Sequence, residues 1–145
     1  MPTGTPVDAV AHVIQLAVAP VFLLSGIGAM LAVMTQRLSR VIDRARLLEA
    51  KLLAGSADEK TLHAQLATLS RRAKLVSRSI TLCTTTALLV CAVIAVLFLG
   101  ASLGFDASGA VVALFIAAML AFFVGLLIFL REILLATASL RIGPR

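Results

Sequence analysis

Tryptophan and tyrosine are absent from the sequence, and seven phenylalanines supply all of its aromatic side chains. Proteins that bind single-stranded nucleic acid stack the bases on aromatic residues in a basic groove, so this absence argues against a nucleic-acid partner. The belt of Trp and Tyr that commonly marks a membrane–water boundary is missing as well. Phe and long Arg side chains are therefore the available anchors at any such boundary.

Only two cysteines and two histidines are present, which leaves few residues for thiol chemistry or metal binding. Cys83 and Cys91 lie eight residues apart in one apolar stretch, where a straight helix cannot join them, and no CxxC spacing occurs. We interpret both as small packing residues. His12 and His63 fall in different segments, without an HExxH pattern or a Gly-rich phosphate loop. The sequence therefore predicts no enzyme activity, no cofactor and no metal site.

Apolar residues dominate the composition: 61% of the residues are hydrophobic and the mean hydropathy is +1.08. A soluble domain of this size could not bury so much apolar surface. Three uncharged stretches, at about 10–35, 79–103 and 109–130, are long enough to cross a bilayer. We predict three transmembrane helices in a single membrane domain covering residues 1–145. Because these spans contain no Asp, Glu, Lys or Arg, the sequence argues against an ion-coupled transporter.

The net charge lies in one part of the chain, residues 37–78, which we call the basic segment. It carries ten Lys or Arg against four acidic residues, an excess of six that equals the formal charge of the whole protein. By the positive-inside rule this segment is cytoplasmic, with the N-terminus outside and the C-terminus inside. Arg37 follows the first apolar run rather than preceding it, which predicts a retained anchor instead of a cleaved signal peptide.

Apolar residues in the basic segment recur at intervals of three and four on both sides of a glycine. The first set is Leu38, Val41, Ala45, Leu48 and Leu52, and the second is Leu62, Leu66, Leu69, Ala73, Val76 and Ile80. This spacing predicts an antiparallel coiled-coil hairpin between helices 1 and 2. Gly55 is expected to end the first helix, and a capping box of Ser56 and Glu59 to start the second. The predicted fold class is therefore all-α.

Small and hydroxyl-bearing residues stand out within the spans. A stripe of small residues, spaced four apart in the third span, predicts a close helix interface within or between protomers. The stripe consists of Ala113, Ala117, Ala121 and Gly125. A candidate polar face consists of Ser25, Thr81, Thr84 and Thr85. These hydroxyls could line a pore, or could bond only to carbonyls of their own helices. Pro20 predicts a kink, for packing or as a hinge.

The arginines of the basic segment allow two interpretations. They could contact anionic membrane lipids, or they could form a ring in an oligomer. Asp43 is the only acidic residue between Arg37 and Arg46, so we predict that it accepts a network of ion pairs across the hairpin. The predicted network comprises Arg37, Arg40, Asp43, Arg44, Arg46, Arg71 and Arg72.

Several of these features occur together in a recognisable pattern. Pro20 and Ser25 are followed by the strings RLSRVIDRAR, starting at Arg37, and SRRAK, which contains Arg71 and Arg72. With this pattern the chain resembles, from about residue 14 to residue 130, the bacterial membrane-protein family catalogued as domain of unknown function 2721. The resemblance implies a bacterial inner-membrane location and no particular function. A weaker likeness, in topology alone, is to YidC-like insertases, many of which carry a polar or charged groove inside the membrane.

Two functional interpretations remain open. The leading one is a homo-oligomer whose first or second helix lines an ion-conducting path that continues between the basic hairpins. The alternative is a membrane scaffold or insertase-like module whose coiled coil docks a soluble cytoplasmic partner.

Overall fold

The computed structural model describes residues 5–55 and 58–138, and within these ranges it contains three α-helices and no strand. Helix α1 spans Pro6–Leu53, α2 spans Glu59–Leu103 and α3 spans Ser108–Ala138. Each includes a window long and apolar enough to cross a bilayer, with mean hydropathies of 2.3, 2.6 and 3.0. The prediction of an all-helical chain with three membrane-span-like helices is confirmed, and it indicates a membrane protein.

Helix α1 begins with side-chain hydrogen bonds from Thr5 to Asp8. The Asp8 carboxylate accepts hydrogen bonds from the Thr5 hydroxyl at 2.6 Å and from the Thr5 amide at 3.0 Å. The hydroxyl bond, followed by the amide bond, lowers the pKa of Asp8, because both favour the ionised carboxylate. This contribution to helix stability is present above the ordinary pKa of an aspartate and is lost as the pH falls through the lowered value.

Glycines end both α1 and α2. Gly55 has a φ of 73°, in the left-handed region, and its amide donates to the Leu52 carbonyl at 3.2 Å. Gly104 has a φ of 69°, and its amide donates to the Gly100 carbonyl at 2.9 Å. The first helix thus ends where the sequence predicts.

The predicted capping box at the start of α2 has one residue, Ser56, outside the described residues. Helix α2 begins at Glu59, directly after Asp58. The Asp58 carboxylate accepts a hydrogen bond from the Thr61 hydroxyl at 2.8 Å. A side-chain contact therefore does form at this helix start, between two residues that the sequence analysis did not select.

Contacts divide the chain into two units. The first comprises Met1–Met30 and Cys83–Phe123, and the second comprises Leu31–Leu82 and Val124–Arg145. Buried apolar side chains of the first unit include Val13, Ala17, Ile27, Val90, Val93 and Ala118. Those of the second include Met34, Val41, Leu48, Leu69, Val76 and Phe129. In each unit all three helices contribute to the core.

Helices α1 and α2 pack together in the second unit through positions that the apolar spacing selects. Val41, Leu48 and Leu69 form a buried cluster. The partly buried residues packed against it are Ala45, Leu62, Leu66 and Ala73. All seven belong to the two predicted sets, so the spacing identified the contacting faces. Supercoiling of the two helices stays a prediction.

The left-handed backbone at Gly55 gives the first testable prediction. A Cβ at this position would meet no atom within 4 Å, so Gly55→Ala adds backbone strain without a clash. We expect a loss of about 1 to 2 kcal/mol in the free energy of unfolding. Gly55→Asn should lose less, because Asn tolerates this conformation better. Unfolding of the full chain in mixed micelles, followed by circular dichroism, measures both changes, and equal stability of all three proteins would contradict the assignment.

Candidate functional site

Glu132, on α3, is the one charged residue that is buried in the described part of the chain. Its side chain is 0% exposed. Its contacts in the second unit come from Arg37 on α1 and Arg72 on α2, whose side chains are 38% and 22% exposed. One carboxylate on α3 therefore receives a guanidinium from each of the other two helices.

Each oxygen of the Glu132 carboxylate has its own arginine. Nη1 of Arg37 donates to Oε2 at 2.9 Å. Nε and Nη2 of Arg72 donate to Oε1 at 3.1 Å and 3.0 Å. The Arg37 guanidinium also lies over the ring of Phe129, 5.7 Å from its centroid, at a distance typical of a cation–π contact. These contacts fix the orientation of both guanidiniums.

The burial of Glu132 is tolerable only because of these partners. A carboxylate removed from water loses its hydration, and hydrogen-bonded cations are needed to offset that loss. The two arginines keep part of their surface in contact with solvent, whereas the carboxylate has none. Loss of the arginines should therefore destabilise the protein more than loss of the glutamate charge.

The observed ion pairs differ from the predicted network in their acceptor. Of the seven predicted residues, Arg37 and Arg72 form ion pairs, and both do so with Glu132. Asp43 is exposed, and no ion pair within residues 5–55 and 58–138 includes it. The i,i+3 spacing on α1 pointed to a local acceptor, but an exposed carboxylate gains little from pairing in water.

Sequence reasoning missed Glu132 because its partners are 95 and 60 residues away along the chain. A usable signal was nevertheless present. Glu132 lies only two residues beyond residue 130, the predicted end of the third span, where an unpaired carboxylate would be costly. An acidic residue at such a position requires a cationic partner, and most of the cationic residues of the chain lie in the basic segment.

A cavity of about 270 Å³ lies beside the two paired arginines. Its lining includes Arg37, Arg40, Arg44 and Arg72, together with apolar Val41 and Leu69. Arg40 and Arg44 are exposed. The site thus combines four guanidiniums with a single buried carboxylate, and its net charge is strongly positive.

Comparison with known protein families identifies the family of this chain. The family described as protein of unknown function (DUF2721) matches residues 17–142. The chain belongs to this family. The match includes Arg37, Arg72 and Glu132, so the whole ion-pair site lies within the region that DUF2721 describes. No curated protein and no solved structure matches the chain.

The candidate polar face of this DUF2721 member is exposed in the described protomer. Ser25, Thr81, Thr84 and Thr85 all lie on the surface. The Thr81 hydroxyl donates to the Ser77 carbonyl one turn earlier at 3.0 Å, which supports the local alternative for that residue.

The predicted stripe of small residues on α3 changes its environment along the helix. Ala113 and Ala117 are exposed, Ala121 is half-buried and Gly125 is buried. Its exposed residues, Ala113 and Ala117, are therefore available to another molecule. Pro20 lies inside α1, which continues through it, and lines an apolar cavity of about 620 Å³ in the first unit.

In the ion-pair site the carboxylate is fully buried whereas the two arginines are partly exposed, and this difference gives a second prediction. Arg37→Gln with Arg72→Gln leaves a buried carboxylate without cations and should cost roughly 3 to 5 kcal/mol of unfolding free energy. Glu132→Gln, which leaves arginines that can reach water, should cost about 1.5 to 3 kcal/mol. Adding Glu132→Gln to the double arginine variant should then restore stability, as measured by denaturation in mixed micelles. If the triple variant loses as much stability as the double arginine variant and Glu132→Gln lose together, the buried-charge account is contradicted.

Asp43→Asn is the matched control for this experiment. Because Asp43 is exposed and outside the observed ion pairs, the change should cost about 0 to 1 kcal/mol. Its effect should add to that of Arg72→Gln without coupling. Coupling between these two substitutions would instead support the acceptor that the sequence predicted.

Proposed function

We propose that this chain is a homo-oligomeric bacterial inner-membrane protein whose copies enclose an ion-conducting path. The observation that carries the proposal is the exposure of Ser25, Thr84 and Thr85, residues of the first two predicted spans, on the surface of the described protomer. In a single copy surrounded by lipid, this exposed face would lie against acyl chains. In an oligomer the same face can line a path for water or an ion.

Open small-residue surfaces supply the contacts for such an assembly. A Cβ built at Gly26 or Gly28 would meet no atom within 4 Å, so packing within the protomer does not require glycine at either position. Ala113 and Ala117 on α3 are exposed in the same way. Small residues on an open helix surface allow the backbone of another helix to approach closely in a bilayer. These open surfaces are where we expect a second copy of the chain to pack.

The proposed orientation places the basic segment in the cytoplasm, the N-terminus outside and the C-terminus inside. Support comes from the excess of six positive charges between residues 37 and 78. The arginines would then surround the cytoplasmic mouth of the path, and the basic segment would form a coiled-coil hairpin below it.

Cysteine labelling tests this orientation. In a background with Cys83→Ala and Cys91→Ala, a cysteine replacing exposed Glu59 should react with a membrane-impermeant maleimide only after the cytoplasmic side is opened. A cysteine replacing exposed Ser108 should react in intact cells. The reverse pattern would overturn the proposed topology.

Ala117→Leu tests the assembly and the ion path together. Because Ala117 is exposed in the protomer, the substitution should change the stability of a single copy by less than about 0.5 kcal/mol. At a close helix crossing, however, the added bulk should reduce the oligomer and lower ion flux in reconstituted liposomes. Val112→Leu, at another exposed position of α3, is the control and should leave both unchanged. Wild-type protein that is monomeric in nanodiscs and shows no flux would refute the proposal.

A specific observation favours a second candidate, the scaffold that docks a soluble partner. A cleft of about 570 Å³ lies along α1 and α2 in the basic segment, lined by Val41, Ile42, Ala45 and Leu66 among others. Ile42 is 39% exposed and nearby Leu47 is 64% exposed, so apolar surface is accessible in this strongly charged region. A monomeric wild type without flux in the preceding experiment would favour this candidate.

A further inference from the structure

We propose that the arginine-lined cavity of the second unit binds a phosphate group, carried by an anionic lipid headgroup or free in solution. The inference goes beyond the proposed ion path and does not depend on the oligomer. It rests on Arg37, Arg40, Arg44 and Arg72, which line one cavity of about 270 Å³.

Two of the four guanidiniums are already oriented by Glu132. Arg37 uses Nη1 for this contact, and Arg72 uses Nε and Nη2. A guanidinium has five N–H donors, so both arginines keep donors for a ligand. Because the buried carboxylate holds their positions, a bound anion does not have to order them.

The other two guanidiniums provide the excess charge. Arg40 and Arg44 follow Arg37 at intervals of three and four, which places the three on one face of α1. Within residues 5–55 and 58–138, neither Arg40 nor Arg44 forms an ion pair. Four positive charges therefore line the cavity, only two of them are paired with the single carboxylate, and the excess favours an anion.

The residues that line the cavity favour a phosphate ligand over a ligand that carries a single carboxylate. The charged residues lining the cavity are all arginines, whose planar fork can bind two oxygens of a phosphate at once. At about 270 Å³ the cavity is slightly smaller than the usual site for a drug-sized ligand, which suits a phosphate headgroup. Arg37 and Glu132 each lie two residues beyond a predicted span, at the level where lipid phosphates are found. A lipid headgroup can therefore reach the cavity from the surrounding membrane.

The test measures binding by the full chain in neutral detergent. Native mass spectrometry counts retained phosphatidylglycerol against zwitterionic phosphatidylcholine, with and without competing inorganic phosphate. The test variant is Arg40→Gln with Arg44→Gln, which leaves the Glu132 ion pairs in place. The control is Arg46→Gln with Arg71→Gln, which removes the same charge from exposed residues outside the cavity lining.

General attraction of basic residues to anionic lipid, about fivefold for each charge, should affect both variants equally. We expect the cavity variant to lose at least about tenfold more phosphatidylglycerol binding than the control, because it also loses directed hydrogen bonds. Arg40→Lys with Arg44→Lys retains the charge but not the fork, and should bind phosphatidylglycerol more weakly than the wild type. This variant keeps the test valid if the glutamine variant does not fold.

The outcomes separate the sources of the phosphate. Retained phosphatidylglycerol that inorganic phosphate does not displace identifies a lipid headgroup as the ligand. Displacement by inorganic phosphate, with the same dependence on Arg40 and Arg44, identifies free phosphate. If the cavity and control variants lose phosphatidylglycerol binding equally, the binding depends only on general electrostatic attraction, and the proposed site is overturned. Wild-type protein that binds neither inorganic phosphate nor phosphatidylglycerol in preference to phosphatidylcholine would overturn it as well.

Discussion

Glu132 is fully buried, so its carboxylate needs cationic hydrogen-bond partners to offset its lost hydration, and this requirement organises the second unit. Its two oxygens take one arginine from α1 and one from α2, so a single side chain on α3 links three helices. The apolar cluster around Val41 and Leu69 can tolerate small changes of spacing, because dispersion and burial are not directional. Hydrogen bonds to a buried carboxylate are directional, and they fix the register of the helices at this level.

The sequence predicts the parts of this fold that depend on local composition and period. Three apolar runs give the three helices, Gly55 gives the end of α1, and the three-four spacing gives the positions through which α1 and α2 pack. The charge partner of Arg37 and Arg72 could not be found in this way. Local spacing favours Asp43, whereas the observed choice depends on burial, and burial depends on which parts of distant helices meet.

The two units use small side chains and charges for different purposes. In the first unit, open glycines on α1 and exposed alanines on α3 leave room for a neighbouring backbone, which is the basis of the proposed assembly. In the second unit, arginines outnumber the acid that orients them, which is the basis of the proposed phosphate site. The stripe from Ala113 to Gly125 could not be assigned to one role from its spacing, because its members differ in burial.

The sequence distances within the ion-pair site also set an order of events during biosynthesis. Ribosomes make the chain from its N-terminus, so Arg37 and Arg72 exist 95 and 60 residues before Glu132 does. Until α3 has been made, both guanidiniums lack their acceptor and remain available to water, lipid phosphates or chaperones. Closure of the site therefore requires that α3 has been synthesised, and a chain truncated before residue 132 would lack the acceptor of both arginines.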